Sequence, residues 1–416
     1  MTCATAPSPA APLVASRRIE GTRAFYLQAS MMVTFLAGSS APTPLYPVYS
    51  AAFGFSSLTV TVIFGVYALA VLAALLFGGR LSDHVGRRPV LLAGTAGQVV
   101  TMLLFASAHG VGQLVAARVA QGVASGIAVA ALGAGMLDID KGRGALAGAA
   151  TPPLGTALGA LMAGLFVHYL PAPTHLVYAV LAVVFAVQGL AALNMVETAV
   201  PRAGGLASLV PQLAMPQPTR RPFVLALPAL VATWGFAGFY ASLGPKLIGT
   251  VAATDASLLG GGALFLLAAA AAAAVIALRH RAPRIVIMVG AVALVAGAAT
   301  LIVAASTASL ATYLAGSAMA GVGFGAGFQG AVRAVMPLAP PRQRAGVLSV
   351  IFVVSYLAMG APAMIAGALV VHTGDILATA REFAVVVITL GLASLLAAWL
   401  TPAEVAPLSV RAEKTH

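Results

Sequence analysis

Residues 79–89 read GRLSDHVGRRP, and they join two long apolar stretches of the chain. Gly79 lets a neighbouring helix approach the end of the preceding span, because glycine carries no side chain. Gly86 permits a tight turn before the next span. The alternative is an ordinary basic turn in which the glycines are incidental. An acidic residue flanked by glycines at this spacing favours a built structural element.

The charged residues of this loop predict a latch, meaning a charge cluster that holds parts of the protein together in one state and releases them in another. Asp83 can cap the helix that begins near Pro89 or face another helix N-terminus, where a carboxylate is stabilised by about 0.3–1 kcal/mol. Arg87 can pair with Asp83, or with Asp138 or Asp140 further along the chain. The predicted gating residues are Gly79, Asp83, Gly86, Arg87, Arg88 and Asp138.

The composition predicts a membrane protein. Of the 416 residues, 61% are hydrophobic and 8% are charged, whereas soluble domains carry about 25% charged residues. The apolar residues come in blocks of about 20, the length that crosses a bilayer as a helix. We therefore expect an all-α membrane protein with twelve transmembrane helices. The predicted spans are 25–49, 57–79, 89–108, 112–136, 145–170, 174–195, 223–246, 257–278, 285–306, 309–336, 345–371 and 381–401.

The distribution of basic residues predicts the orientation. The net charge is +12, and 18 of the 22 lysines and arginines lie in segments on one side of the predicted spans. Only Lys246 and Arg381 lie in predicted outer loops, as the positive-inside rule requires for cytosolic termini. Because the charges are spread over short turns, they do not indicate a nucleic-acid site. The abundance of arginine over lysine indicates a bacterial cytoplasmic (inner) membrane.

Internal matches predict two related halves. Such a duplicated unit binds its substrate between the halves and alternates access to it. The matched positions are Arg88 and Gly94 with Arg284 and Gly290, and Gly122 and Gly126 with Gly323 and Gly327. The predicted segments are a cytosolic tail (1–22), a six-helix bundle (23–197), a cytosolic linker (198–222), a second six-helix bundle (223–401) and a cytosolic tail (402–416).

The loop resembles the signature loop of the major facilitator superfamily, Gly-x-Leu-x-Asp-x-x-Gly-Arg-Arg/Lys, at each defining position. In the fourth span, residues 118–122 (RVAQG) with Gly126 resemble the Arg-x-x-Gln-Gly element of its drug and metabolite efflux branches. The resemblance covers about residues 23–401. It implies two pseudo-symmetric six-helix bundles in a monomer that works by alternating access. The partners that it implies are the lipid bilayer, a small-molecule substrate and protons.

Arg118 is the charged residue that most needs an explanation. It lies about five residues inside the outer end of the fourth predicted span, where a guanidinium in hydrocarbon costs at least about 2.5 kcal/mol. Every Asp and Glu falls in a predicted loop, in a tail or at the end of a span. The alternative is an arginine that extends to the outer membrane interface. The candidate partners are Gln28, Gln98, Gln121, free backbone carbonyls or an anionic substrate group.

The end of the first span contains three prolines, Pro42, Pro44 and Pro47. Proline removes backbone donors, and freed carbonyls are tolerated only where protein or a cavity surrounds them. We predict that this end is unwound and lines the outer pathway with Ser40, Thr43 and Tyr46. The alternative is a helix that ends at Pro42 and is followed by a turn. The carboxylate that many efflux members carry in this span is missing here.

Spans five and eleven combine proline with glycine. We expect flexible helices that pack closely where the halves meet. The positions are Pro152, Pro153, Gly155, Gly159, Gly360 and Pro362.

These features predict a transporter that exports small, partly hydrophobic compounds. No Gly-x4-Gly-Lys-Ser/Thr loop occurs, so ATP is not expected to drive it, and neither a cofactor nor a metal is expected. One alternative is transport of organic anions or other metabolites in either direction, and a less favoured one is a non-transporting membrane protein. The predicted pathway residues are Arg118, Gln121, Gln28, Ser40, Thr43, Tyr46, Trp234, Tyr240 and Gln329.

Overall fold

The computed structural model describes residues 18–205, 207–253 and 257–400, without the side chains of residues 207 and 257. Most of the predicted tail 1–22, and all of the predicted tail 402–416, lie outside the described residues.

Fourteen α-helices run through the described residues, and twelve of them have 20 residues or more. Ten are long and apolar enough to cross a membrane by length and composition, and α1 and α12 are the other two long helices. The first eight are α1 (Gly21–Ser40), α2 (Tyr46–Phe53), α3 (Ser57–Gly78), α4 (Leu81–Val85), α5 (Arg87–Ala106), α6 (Val111–Ile139), α7 (Lys141–Tyr169) and α8 (Pro173–Ala192). The remaining six are α9 (Gln217–Ala252), α10 (Ser257–Ala277), α11 (Pro283–Thr307), α12 (Leu310–Val335), α13 (Arg344–Thr373) and α14 (Ile376–Leu400). The prediction of an all-α membrane protein is confirmed.

Two helices begin five or six residues earlier than predicted. Helix α9 starts at Gln217 rather than at residue 223, because Pro218 lies in the first turn, where a backbone donor is not needed. Helix α14 starts at Ile376 rather than at residue 381, since Asp375 caps it. The Asp375 Oδ1 atom accepts the N–H groups of the second and third helical residues at 2.8 and 2.9 Å. Consequently Glu382, expected at the very start of the last span, lies in the second turn of α14.

The two halves repeat one helix-capping contact. At the start of α5, Arg88 Nη2 donates to the carbonyl oxygen of Leu193 at the end of α8. At the start of α11, Arg284 Nε donates to the carbonyl oxygen of Ala398 near the end of α14, at 2.9 Å. Cations interact favourably with the free carbonyls of a helix C-terminus. The sequence match between Arg88 and Arg284 is therefore also a match of contacts.

Gly94 and Gly290 also occupy equivalent places. A Cβ atom at Gly94 would lie 2.7 Å from the Cβ atom of Ala128 on α6, and one at Gly290 would lie 2.8 Å from the Cα atom of Gly327 on α12. Both glycines therefore let adjacent helices approach closely. This second pair of contacts supports the predicted pseudo-symmetry.

The other glycine match does not correspond in space. Gly122 and Gly126 face α3, whereas Gly323 faces Leu294 of α11. In the second half, the contact with α10 that corresponds to the α3 contact is made by Gly321 and Gly325. The glycines that are equivalent in space therefore lie two residues before the ones that the sequence match named. A shift of two residues along a helix moves a glycine to another face.

The beginning and the end of the first half are tied together. The Ile19 N–H group donates to the Asn194 carbonyl oxygen at 2.8 Å, and the Val196 N–H group donates to the Ile19 carbonyl oxygen at 3.0 Å. These bonds form a short parallel bridge between the chain ahead of α1 and the chain after α8. The bridge lies beside Glu197, whose role is described below.

Glycines also bring the two halves into contact. We call the end of the helices that carries residues 79–89 the loop face, and the other end the opposite face. Since α3 runs towards the loop, Thr61 near its start lies towards the opposite face. The pairs in which a glycine lies close to the other half are Thr61 with Gly367, Met364 with Gly65, and Ala160 with Gly261.

Two hydrogen bonds join the halves near the same face. Thr43 Oγ1 donates to the Ala241 carbonyl oxygen at 3.0 Å, and Lys246 Nζ donates to Ser57 Oγ at 2.7 Å. Thr43 follows α1, and Ser57 begins α3, while Ala241 and Lys246 belong to α9. Polar contacts therefore accompany the glycine contacts at the opposite face.

Candidate functional site

Arg87 is the centre of the charge cluster on the loop face. Its Nε atom donates to Asp138 Oδ2 at 3.1 Å, and its Nη1 atom donates to Ser82 Oγ at 2.7 Å and pairs with Asp83. One guanidinium can serve these acceptors because it carries five N–H donors. Only 7% of Arg87 is exposed. The structure contains the expected ion pairs of Arg87 with Asp83 and Asp138, whereas Asp140 caps α7.

Glu197 caps α5 and completes this cluster. Its Oε1 atom accepts the N–H group of Arg87 at 2.8 Å, and its Oε2 atom accepts that of Arg88 at 3.0 Å. The Oε1 atom also accepts the N–H groups of Thr198 and Ala199, both at 3.0 Å. A carboxylate at a helix N-terminus satisfies backbone donors that have no partner within the helix. The expectation that Asp83 caps this helix is therefore wrong, and Glu197 holds that place.

Gly86 is required by two features of the loop. Its φ and ψ angles are 102° and 153°, a region that only glycine adopts readily. A Cβ atom at this position would also lie 2.6 Å from Glu197 Oε2. The predicted turn at Gly86 therefore also makes room for the Glu197 carboxylate.

The close helix approach predicted at Gly79 occurs one residue earlier. A Cβ atom at Gly78 would lie 2.8 Å from Ile127 Cγ1 of α6, whereas the atoms nearest to a Cβ at Gly79 belong to Leu75 of the same chain segment. Gly79 follows the last residue of α3 and has turned away from α6. Periodicity alone did not resolve this difference of one residue.

The linker between the halves is hydrogen-bonded to the loop of residues 79–89. The Arg202 N–H group donates to the His84 carbonyl oxygen at 2.9 Å, and His84 Nδ1 lies 3.3 Å from the Ala203 carbonyl oxygen. Further along the linker, the Ala214 Cβ atom lies 2.7 Å from where a Cβ atom at Gly346 of α13 would be. The linker therefore contacts both halves on the loop face.

Arg118 forms a second polar cluster, inside the first half. Its Nη1 atom donates to the Ser39 carbonyl oxygen at 2.9 Å and to Gln121 Oε1 at 2.7 Å, and its Nη2 atom donates to Tyr46 Oη at 2.7 Å. Gln121 Nε2 in turn donates to the Gly38 carbonyl oxygen at 2.9 Å. Arg118 is 0% exposed. It therefore does not extend to the membrane interface.

The prolines explain why these two carbonyls are free. In a continuous helix the Gly38 carbonyl would accept the N–H group of residue 42, but Pro42 has none. The Ser39 carbonyl would accept from Thr43, whose N–H group instead donates to Ser40 at 3.0 Å. Helix α1 thus ends at Ser40, a turn follows, and α2 begins at Tyr46. Arg118 and Gln121 satisfy the two carbonyls that this break leaves free.

Aromatic rings surround the guanidinium of Arg118. Its Cζ atom lies 5.0 Å from the ring centroid of Tyr67 and 5.7 Å from those of Tyr46 and Phe105. Such cation–π contacts contribute about 2 kcal/mol or more when desolvated. The ion pairs of the described residues involve Arg87 and Arg143. Within that part of the chain, a backbone carbonyl, an amide, a hydroxyl and aromatic rings therefore stabilise Arg118 without a carboxylate.

The structure separates other predicted pathway residues from Arg118. Gln28 is buried near the loop face, where its Nε2 atom lies 3.7 Å from Met195 Sδ. Ser40 Oγ donates to the Thr156 carbonyl oxygen of α7 at 2.9 Å. Gln98, another candidate partner, donates to Ser125 Oγ at 2.7 Å. Of the predicted pathway residues in this half, Tyr46 and Gln121 contact Arg118, and Thr43 joins the two halves.

Two glycines of α7 pack within their own half rather than between the halves. A Cβ atom at Gly155 would lie 2.8 Å from Leu36 Cβ of α1, and one at Gly159 would lie 2.5 Å from Ala37 Cα. These positions therefore differ from the predicted contact between halves, which α7 makes through Ala160. Pro152 and Pro153 lie inside the continuous helix.

Helix α13 places Gly360 next to the first half. A Cβ atom at Gly360 would lie 3.8 Å from the Ala68 Cβ atom of α3, an ordinary contact distance. Pro362 lies inside α13, two residues further towards the opposite face. The predicted location of these two residues agrees with the helix contact.

The three predicted residues of the second half lie in different surroundings. Trp234 is half-buried among aromatic rings. Tyr240 is buried and stacks on Tyr313 with a centroid distance of 5.6 Å. Gln329 Nε2 donates to the Val275 carbonyl oxygen of α10 at 3.2 Å. The structure therefore does not bring these three residues together in one polar site.

Comparison with known proteins identifies the class. The family model described as Major Facilitator Superfamily matches residues 29–359. Because this match covers well over half of the sequence, the chain belongs to the Major Facilitator Superfamily. This membership and the ten helices of the described residues that are long and apolar enough to cross a membrane make it a multi-pass membrane protein.

Two curated relatives are named for drug resistance or for export. The chain is 37% identical over 73 residues to the multidrug resistance protein MdtL of Klebsiella pneumoniae (strain 342), covering 18% of this chain and 19% of that protein. It is 30% identical over 161 residues to the cephamycin export protein CmcT of Amycolatopsis lactamdurans, covering 37% of this chain and 33% of that protein. The matches therefore span between a fifth and a third of these relatives' length.

A solved structure shares the fold. It is a bacterial homologue of the human lysosomal transporter Spinster in an inward-facing and unoccupied conformation. The TM-score is 0.72 at 14% sequence identity, and the likeness covers 91% of this chain and 98% of that chain. This likeness supports the superfamily fold.

Proposed function

We propose that this protein exports small, partly hydrophobic compounds by alternating access across a bacterial cytoplasmic membrane, driven by protons. The observation that carries the proposal is the glycine-mediated contact between the halves near the opposite face, through α3 with α13 and α7 with α10. Contacts made by small residues allow two packed surfaces to separate without breaking large interlocked side chains. Rocking about such contacts exposes a central site to one side at a time.

The proposed orientation places the loop face and both termini in the cytosol. The support is the density of arginine on that face, where Arg80, Arg87, Arg88, Arg202 and Arg284 lie near the helix ends. Basic residues near helix ends resist translocation. With this orientation, the contacts between the halves close the outer side and the central site opens towards the cytosol. The protein acts as a monomer, since one chain supplies both halves.

Export of apolar compounds is supported by the relatives and by composition. One curated relative is named a cephamycin export protein, and the other is named a multidrug resistance protein. The long helices of this chain have few polar residues, and small-molecule sites are mostly apolar with a few placed polar groups. A proton gradient supplies the energy, because the sequence has no nucleotide-binding loop.

A disulfide across the contact between the halves tests the proposal. A Cβ atom at Gly367 lies 3.0 Å from Thr61 Cβ, close to the roughly 3.5–4.5 Å that disulfides span. We expect the double variant Thr61→Cys and Gly367→Cys, in a Cys3→Ser background, to stop transport when oxidised. Transport is measured in proteoliposomes under an imposed pH gradient, with a compound selected by screening in a host that lacks its own exporters.

Reduction of the disulfide should restore transport, and the single variant Thr61→Cys in the same background should transport before and after oxidation. Full transport by the oxidised double variant would contradict alternating access at this contact. A screen in which no compound leaves the cells faster would contradict export. Transport that ignores the pH gradient and a protonophore would contradict proton coupling.

Two adjacent glycines give a second, matched prediction. A Cβ atom at Gly261 would lie 2.6 Å from the Ala160 carbonyl oxygen and 2.9 Å from Gly164 Cα, whereas one at Gly262 meets nothing within 4 Å. We expect Gly261→Ala to lower the transport rate by about fivefold to tenfold, since a backbone clash of about 1 kcal/mol or more separates α7 from α10. Gly262→Ala should transport normally. Equal rates for the two variants would show that this contact does not limit transport.

A further inference from the structure

Four aromatic side chains meet where α9, α12 and α13 converge, and we call them the aromatic cluster: Trp234, Phe324, Phe328 and Tyr356. The Trp234 ring centroid lies 5.7, 5.2 and 5.2 Å from those of the other three, in that order. The rings are tilted by 72°, 78° and 48° to the indole, so the cluster offers both ring edges and ring faces. All four are half-buried. Each ring therefore keeps surface that a planar ligand can cover.

The cluster lies at the junction of the halves. Trp234 and Tyr356 pack against Phe64 and Ala68 of α3, which belong to the first half. A ligand bound here would contact both halves. It would therefore be affected by a motion of one half against the other.

Trp234 carries a donor without an acceptor. Its Nε1 atom is buried and has no hydrogen-bond partner among the described residues. A buried N–H group that lacks an acceptor costs about 1–3 kcal/mol. Indole N–H is a donor only. An oxygen acceptor on a ligand would recover this energy.

The charges around the cluster favour a neutral ligand over a cation. Helices α3, α9, α12 and α13 contain no Asp or Glu. Arg118, which would attract an anion, is 0% exposed and donates to protein groups. A desolvated cation would have only ring faces to stabilise it, which contribute about 0.5–2 kcal/mol.

We propose that the aromatic cluster binds neutral, planar aromatic compounds that carry an oxygen acceptor, and that Trp234 Nε1 donates to this oxygen. The inference rests on the proposed export function for its biological role, because it names the substrate class of that function. Its test measures binding and needs no transport.

The two tryptophans of the chain make the test direct. Trp399 is 69% exposed on α14, so the variant Trp399→Phe leaves Trp234 as the single tryptophan of a protein expected to fold normally. We expect coumarin, a neutral aromatic lactone, to quench the Trp234 emission saturably in detergent solution. Naphthalene has no oxygen acceptor and should bind about five- to thirtyfold more weakly, as loss of one buried hydrogen bond predicts.

The matched control is Trp234→Phe, which leaves only Trp399 as reporter. Coumarin should quench its emission linearly, as partitioning into the surrounding detergent predicts. If Trp399→Phe does not fold, the same signal is obtained as the difference between the unsubstituted protein and Trp234→Phe.

Three outcomes would overturn the inference. These are linear quenching of Trp234 by coumarin, equal affinity for coumarin and naphthalene, or tighter binding of the aromatic cation tetraphenylphosphonium. Saturable coumarin binding together with failure of the disulfide test would refute the proposed function and leave the binding site intact. Loss of coumarin binding with a successful disulfide test would refute only the substrate class.

Discussion

Replacement of Arg118 by alanine is expected to lower the stability of the protein by about 3 kcal/mol, because hydrogen bonds to charged groups contribute about 1.5–3 kcal/mol each and three are lost. Removal of an unneutralised buried charge offsets part of this cost. The Ser39 carbonyl would be left without a donor at the break between α1 and α2. We therefore expect transport to fall by at least about tenfold. Thermal unfolding in detergent and transport in proteoliposomes measure the two effects.

Arg333→Ala is the matched control. Arg333 also donates to backbone carbonyls, those of Leu278 and Arg281 at 3.3 and 2.7 Å, but it lies near the solvent-facing end of its helix. Its replacement should cost less than about 1 kcal/mol. Wild-type stability of Arg118→Ala would contradict the role assigned to the hydrogen bonds.

Arg118→Lys separates the two roles of this residue. Lysine keeps the charge, but a single ammonium lacks the planar fork that serves three acceptors at once. We expect it to transport little better than Arg118→Ala. If the loss in Arg118→Ala is confined to anionic compounds and lysine restores it, Arg118 binds the substrate and the organic-anion alternative is favoured.

Glu197→Ala is expected to destabilise the protein by about 2 kcal/mol, because loss of a helix cap costs about 0.5–2 kcal/mol and Arg87 and Arg88 then expose free backbone donors. The loop would lose one of its attachments near the end of α8, while the Arg88 bond to the Leu193 carbonyl oxygen would remain. Transport should fall about fivefold or more, since 1.4 kcal/mol corresponds to a factor of ten. The thermal unfolding temperature and the transport rate are the readouts.

Glu382→Gln and Glu197→Gln form the matched pair for this prediction. Glu382 is exposed on α14, so its amide variant should behave as the wild type. In Glu197→Gln, the amide nitrogen faces a backbone N–H group, and two donors then oppose each other. Equal stability of the two amide variants would show that the Glu197 carboxylate is not needed.

The sequence predicted part of the charge cluster around Arg87, because Asp83, Arg87 and Asp138 lie in or next to recognisable segments. Asp83 and Arg87 are four residues apart on one stretch, and Asp138 ends a recognisable span. Glu197 could not be assigned in this way, since it is 110 residues from Arg87 and stands in a linker without a periodic pattern. Its position depends on how α8 packs against α5, which only the tertiary structure fixes.

The sequence predicted that Arg118 needs hydrogen-bond partners, but it did not predict which groups these are. Its place in an apolar span predicted that it needs partners, whereas burial was one of two alternatives, the other being extension to the membrane interface. Free backbone carbonyls were among the candidate partners, and the proline positions determine which carbonyls these are. Gln28 was another candidate, but it lies eleven residues before Ser39 on α1, or about 16 Å along the helix. Residue type alone does not predict how far along the helix axis two polar side chains lie from each other.

The tie between Ile19 and residues 194–196, together with the Glu197 cap, has a consequence for biosynthesis. Domains generally fold in order as the ribosome releases them, N-terminal first. The first half has its own core, yet its beginning is fastened and its α5 is capped only by residues at its very end. Its maturation can therefore be completed once residue 197 leaves the ribosome, before any helix of the second half has left it.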